Sequence, residues 1–143
     1  MLSNSSKYAL NAVLYLAVNS TDEKKLLAKE ISEATGVPQA YLSKLMQELT
    51  RHHLISSVRG PRGGFYLTNK NRGVTLLEIV TTIDGDNRLT SCVLGLHKCD
   101  SQNPCPMHHL VGETKTKFVQ NLELTTVQDL VADIKEGKSF LSL

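Results

Sequence analysis

Cys92, Cys99 and Cys105 are the chain's three cysteines, and all lie in one stretch, CVLGLHKCDSQNPCPMHH, running from Cys92 to His109. Six residues separate the first two and five the last two. Pro106 suits the first turn of a helix, because its missing N–H leaves nothing unsatisfied there. A helix starting at that point puts Cys105 at a positive dipole end that favours thiolate, with His108 and His109 following on the same face. Three soft ligands and a histidine can then converge on a metal centre, either an iron–sulfur cluster or tetrahedral zinc. The spacing lacks the tight paired-cysteine knuckle of most structural zinc sites, which ranks a cluster ahead of zinc. A metal-free thiol switch, with Cys105 oxidised or nitrosated, is a further reading, and three cysteines of no special role in a loop is the plainest. His97 and His109 are reserves for His108, while His52 and His53 read as caps at a helix end.

These residues need a scaffold. A chain of 143 residues can make one domain, or a small domain plus an appendage, and at about 150 residues roughly 68–70 per cent of the unfolded surface is buried. Three cysteines cannot all pair within one chain, and Met1 to Tyr8 is polar, so a reduced cytoplasmic protein without a signal peptide is expected. No apolar run approaches the ~18 residues of a membrane span. The net charge of +2 names no partner by itself. Its distribution says more: Lys44, Arg51, Arg59, Arg62, Lys70 and Arg72 stand against the single acid Glu48 between residues 44 and 72. That segment has the character of an anion-binding surface.

Ala9, Ala12, Val13, Leu16 and Ala17 recur at the spacing of a buried helical stripe, predicting a helix over Asn4 to Asn19. A second helix is expected over about Leu27 to Thr35, burying Leu27, Ile31 and Ala34, with Gly36 as a left-handed cap. The next helix, about Pro38 to His52, divides cleanly: Leu42, Leu45, Met46 and Leu49 inside, Ala40, Ser43, Lys44, Gln47 and Arg51 outside. Two helices joined by a short glycine-containing turn suggest a helix-turn-helix.

Leu54 to Val58 and Phe65 to Thr68 read as two short strands around Arg-Gly-Pro-Arg-Gly-Gly, a hairpin with two arginines at its tip. A phosphate-cradling loop of a nucleotide enzyme would need a following Lys-Ser or Lys-Thr and a helix, and neither is present. The succession predicts a mainly α fold with a small β-hairpin, a winged helix-turn-helix domain that reads double-stranded DNA. The candidate contact set is Gln39, Ala40, Tyr41, Ser43, Lys44, Gln47, Arg51, Arg59, Gly60 and Arg62. Thr75 with Glu78 should cap a helix reaching about Ile83, and the acidic turn after it lacks the glutamate of a calcium loop. From Pro106 a long helix to about Leu122 should carry Met107, Leu110, Val111, Thr114, Phe118 and Leu122 on one side. Thr125 with Gln128 should cap the last helix. The apolar side of the long helix asks for a second copy of the chain, since DNA readers of this type work as two-fold dimers. The expected division is residues 1–86 for DNA binding, 87–105 for the cysteine loop and 106–143 for dimerisation. A winged helix that docks on protein rather than DNA is the alternative; an enzyme finds no nucleophile elbow, no HExxH and no acid–base pair.

SSKYALNAVLYLA, GVPQAYLSKLMQEL, SSVRGPRGGFYL and the cysteine segment resemble the bacterial winged-helix regulator family that includes the iron–sulfur cluster regulator IscR, the nitric-oxide-sensing repressor NsrR and the cluster-free cysteine-metabolism repressor CymR. The resemblance covers residues 3 to about 110. It implies a homodimeric transcription repressor with the long helix at the interface, the third helix in the major groove, and a cluster at the base of the long helix. Carried over by position, Cys92, Cys99 and Cys105 are the thiolate ligands and His108 the fourth, with a 2Fe–2S cluster preferred to 4Fe–4S. The first cysteine gap is one residue longer than in IscR. Lys7 stands where some nitric-oxide sensors supply an aspartate.

Overall fold

A computed structural model describes residues 2–143. The core is built around α1 (Asn4–Asn19), whose Ala9, Ala12, Val13, Leu16 and Ala17 are all buried. Three of those five are alanines, which let neighbouring helices approach closely. Helix α2 (Ala28–Thr35) and α3 (Gln39–Arg51) pack beside it. Gly36 takes a left-handed φ of 70° to end α2, and Val37 drops into the core before Pro38 opens α3. Leu27, expected inside, is 54% exposed. It is the residue before α2, extended, and its N–H is held by the Glu30 carboxylate while Leu26 takes the buried position instead.

The hairpin pairs β1 (Ser56–Val58) with β2 (Gly64–Tyr66) in antiparallel register, Ser57 opposite Phe65. Both strands are shorter than the apolar pattern suggests, because Leu54 and Ile55 before β1 and Leu67 after β2 are spent filling the core. Leu26 and Phe65 exchange both backbone hydrogen bonds, at 2.9 and 2.7 Å, so the segment entering α2 braces the wing from its other edge. Gly63 is required by the turn: a Cβ there would lie 2.2 Å from the Val58 carbonyl oxygen. A four-residue helix that the apolar pattern does not announce, α4 (Asn69–Arg72), follows the wing.

Helix α5 (Leu76–Asp84) is capped by Thr75 and Glu78 as the sequence suggests. An open loop then leads to α6 (His108–Leu124), and α7 (Val127–Lys135) ends the fold. Helix α6 begins two residues after the expected Pro106, with Pro106 and Met107 in a turn whose Cys105 carbonyl accepts the His108 N–H at 2.9 Å. The cap of α7 is Thr126 with Asp129, not Thr125 with Gln128. Thr125 is extended because Leu76 N–H donates to its carbonyl and Val127 N–H donates to Val74, a backbone bridge that ties the starts of α5 and α7 together. Val127 and Val131 are fully buried, so α7 closes over α1.

Candidate metal centre and nucleic-acid interface

Between α5 and α6 the chain makes three local turns that fold the cysteine loop onto itself. Ser91 N–H donates to Asn87 and Gly95 N–H to Cys92, with Gly95 at a φ of 70° that reverses the chain behind the first cysteine. Asp100 Oδ1 then accepts the N–H groups of Gln102 and Asn103, each at 2.8 Å, an Asx turn that swings the chain from Cys99 back to Cys105. Those two N–H groups, helped by nearby His108, hold the Asp100 carboxyl below its ordinary range.

The three sulfurs end within 4.8 Å of one another. Cys92 Sγ and Cys105 Sγ are 3.6 Å apart, and Cys99 Sγ is 3.3 Å from His108 Nδ1. The Cys105 N–H donates to Cys99 Sγ at 3.4 Å. His109 and His97 are exposed. The geometry therefore gathers the three sulfurs and sets His108 against one of them, Cys99, while His109 reaches only the rim of the same cleft. Two thiolates each about 2.3 Å from one tetrahedral metal stand about 3.8 Å apart, so the Cys92–Cys105 spacing suits a shared metal ion. Backbone N–H groups of Leu96, and then Leu94, stabilise the Cys92 thiolate and lower its pKa from 9.0 to about 7. Cys99 moves the opposite way: the Cys105 N–H lowers it, but burial and the neighbouring Cys105 and Cys92 sulfurs outweigh that and push it up. A cleft of about 680 Å³ opens beside the sulfurs, lined also by Leu89, Lys115 and Val119. Lys115 from α6 donates its ammonium to the Ser91 carbonyl, clamping the loop to the helix. Sequence spacing alone does not reveal that contact, because it joins residues 24 apart.

On the opposite functional surface, α3 buries Leu42, Leu45, Met46 and Leu49 and turns Gln39, Ala40, Lys44, Gln47 and Arg51 to the exterior. Ser43 is half-buried. Tyr41 is partly engaged, its ring edge-on to Tyr8 at 6.0 Å and its hydroxyl bonded to Ser5. Arg51 pairs with Glu48, a surface contact that a phosphate can displace at little loss. Arg59, Gly60 and Arg62 are all exposed at the wing tip. A groove of about 530 Å³ runs between α3 and the wing, lined by Gln47, Thr50, Arg51, Ser57 and Arg59. Helix, groove and wing thus form a cationic and polar surface of the kind that suits a phosphate backbone.

The Rrf2 family, described as an iron-dependent transcriptional regulator, matches residues 2–133. The chain belongs to the Rrf2 family. It is 33% identical over 142 residues to an HTH-type transcriptional regulator of Aquifex aeolicus, covering 98% of this chain and 96% of that one. It is 32% identical over 136 residues to the HTH-type transcriptional regulator IscR of Yersinia pseudotuberculosis, covering 91% of this chain and 82% of the relative. Among solved structures, CymR, the global cysteine regulator of B. subtilis, superposes with a TM-score of 0.73 at 23% identity, covering 92% and 96% of the two chains. T. potens IscR superposes at 0.72 and 23% identity, covering 97% and 91%. These two share the fold. As an Rrf2 protein the chain is a winged-helix DNA-binding transcription regulator and not an enzyme. No helix among the described residues is long and apolar enough to cross a membrane.

Proposed function

We propose that this Rrf2 regulator is a homodimeric repressor whose operator affinity responds to an iron–sulfur cluster held by Cys92, Cys99, Cys105 and His108. The observation that carries the reading is the gathering of three sulfurs within 4.8 Å, with His108 Nδ1 on Cys99. The family's iron-dependent description and the likeness to IscR support it. The donors fit the group in kind: three thiolates and an imidazole are ligands that iron–sulfur centres take, and Cys92, Cys99, Cys105 and His108 would hold it. When bound, the cluster supplies iron that is sensitive to oxidation, nitric oxide or iron supply.

The remaining steps belong to the chain's own residues. Drawn to a common centre, the four donors fix residues 92–105 against the first turn of α6. That stiffens the junction between the reading domain, residues 1–86, and the dimer-forming segment, residues 106–143. A shift in the separation or tilt of two paired reading heads changes operator affinity by about 1–3 kcal/mol of coupling energy. In the duplex complex, α3 presents Gln39, Ala40, Tyr41, Ser43, Lys44 and Gln47 to the major groove. Arg51, Arg59, Gly60 and Arg62 meet backbone phosphates or the minor groove.

The test is anaerobic reconstitution with ferrous iron and sulfide, followed by visible absorption, iron and sulfide assay and native mass spectrometry. About two irons and two sulfides per protomer, in a dimer, are expected for the 2Fe–2S form. Zinc is the second reading, favoured by sulfurs close enough to share one tetrahedral ion. A protein that binds zinc tightly but takes up no acid-labile sulfide overturns the cluster.

A further inference from the structure

Two sets of side-chain hydrogen bonds that meet at the first turn of α1 join the exit of α5 to the recognition helix. Asp84 is the last residue of α5. Its carboxylate accepts the Ser3 hydroxyl at 2.5 Å and the Ser6 hydroxyl at 2.7 Å, with the Ser3 N–H at 3.4 Å. Ser3 is the cap of α1, accepting the Ser6 N–H at 3.0 Å, and Ser6 is fully buried. One carboxylate therefore fixes the first turn of α1. From that turn, Ser5 reaches the other way and bonds the Tyr41 hydroxyl, while Tyr8 packs edge-on against the Tyr41 ring. Tyr41 lies in the first turn of α3.

The other end of the chain leads to the sulfurs. Gly85 ends α5 and a hydrogen-bonded turn follows, Ser91 N–H to Asn87. Within it Leu89 is buried in the core and also lines the cleft beside the cysteines. Ser91 is clamped to Lys115, and Cys92 is next in sequence. Seven residues, 85–91, separate Asp84 from Cys92, and Leu89 anchors them to the core.

We propose that Asp84 is a positioning residue that transmits the state of the cysteine loop, through Ser3, Ser6 and Ser5, to Tyr41 at the start of α3. The inference rests on metal binding at the cysteines and adds an intramolecular route to it. It differs from a change in head spacing alone, since it alters the reading surface within one protomer. Energetic coupling over such distances requires elements with two discrete arrangements. That role falls to the first turn of α1, whose cap bonds to the Asp84 carboxylate. Tyr8 and Tyr41 shift with it as a pair.

The experiment uses the full chain labelled with 3-fluorotyrosine, which reports on Tyr8, Tyr15, Tyr41 and Tyr66. The ¹⁹F resonance of Tyr41 is assigned by its disappearance in Tyr41→Phe. Spectra are taken before and after anaerobic loading with ferrous iron and sulfide, with absorption and iron content confirming equal loading. The Tyr41 resonance is expected to move on loading in the wild-type chain and to stay fixed in Asp84→Asn. The same displacement in fully loaded Asp84→Asn overturns the proposal, as does an immobile Tyr41 in fully loaded wild type. A wild-type chain that takes up no iron sinks the metal reading itself, and the missing absorption distinguishes that case. Should Asp84→Asn not fold, Ser5→Ala removes only the last bond and makes the same prediction; a Tyr41 that still responds there overturns the route.

Discussion

The Cys99 sulfur lies 3.3 Å from His108 Nδ1, although one residue belongs to a loop and the other to the first turn of α6. The approach depends on the Asx turn at Asp100, which returns the chain to Cys105 within six residues. His109, next in sequence, is exposed, has no bond to a sulfur, and packs its ring edge-on to that of His108 at 5.5 Å. The two histidines are thus unequal, and the inequality is set by the position at which α6 begins.

His108→Ala should weaken iron retention by at least about tenfold, since losing even an outer-shell partner of a ligand costs 10- to 100-fold. Its loaded absorption spectrum should also differ from that of wild type, because a nitrogen donor is lost. His109→Ala should match wild type in both respects. Equal iron-to-protein ratios in the two variants after anaerobic desalting would remove His108 from the ligand set.

Reactivity of the metal-free cysteines should divide by position. Cys92 is lowered to about 7 by the Leu96 and Leu94 N–H groups, while Cys99 is raised. Iodoacetamide labelling followed by peptide mapping should modify Cys92 first, with a rate that climbs through pH 7 and levels above it. A thiol whose folded pKa is depressed from 9.0 contributes stability above the unfolded value that fades as pH falls through about 7. Metal-free protein should accordingly gain thermal stability between pH 7 and 9, and Cys92→Ser should lack that gain.

The wing yields two separable outcomes. Arg59→Ala should weaken binding to all duplexes alike and reduce the slope of log affinity against log salt by about 0.9 for one lost phosphate contact. An unchanged slope would place Arg59 off the duplex. Gly63→Ala should act differently, because its new Cβ meets backbone 2.2 Å away and the turn must open. A loss of about 2 kcal/mol in urea unfolding is expected, with weaker DNA binding at every salt concentration.

Much of this architecture was legible because the signals were local. The α1 stripe, the Gly36 cap, the Thr75–Glu78 box and the arginine-tipped hairpin each depend on residues a few positions apart. What escaped depends on distant partners. Thr125 with Gln128 and Thr126 with Asp129 are nearly equivalent as cap signals, and the choice is made by Leu76 and Val74 some fifty residues earlier. Leu27 lost its burial to Leu26 because Phe65 pairs with Leu26. Helix α4 has no apolar stripe at all. It is organised by one buried side chain, Asn71, whose Oδ1 accepts Ser56, the Thr68 hydroxyl and the Thr68 N–H while its Nδ2 donates to His53.

Asn71→Ala follows from that last point. The substitution removes four side-chain hydrogen bonds from a half-buried site, at about 0.5–1.5 kcal/mol for each. Urea unfolding should show a loss of about 3 kcal/mol. Because Ser56 lies on β1 and His53 at the end of α3, the wing should loosen relative to the recognition helix. Hydrogen exchange in residues 56–66 should therefore rise more than in α1, and uniform exchange across the chain would refute the pin.

Helix α6 raises the question of its covering. It runs 17 residues, yet Leu122 alone of its side chains is buried. Leu110 is 73% exposed and Leu124 is 79% exposed, while Phe118 and Val119 are half-buried. A helix of this length is about 25 Å long and marginal without tertiary packing of its apolar face. A second copy of the chain would supply that packing and give two reading heads for half-sites about 34–36 Å apart. Leu110→Asp should then convert a dimer to a monomer in light scattering and abolish tight binding to a two-half-site duplex. Anaerobic iron loading should survive, since Leu110 is not among the sulfur neighbours. A variant that keeps the wild-type mass at micromolar concentration would show that this face is covered in some other way.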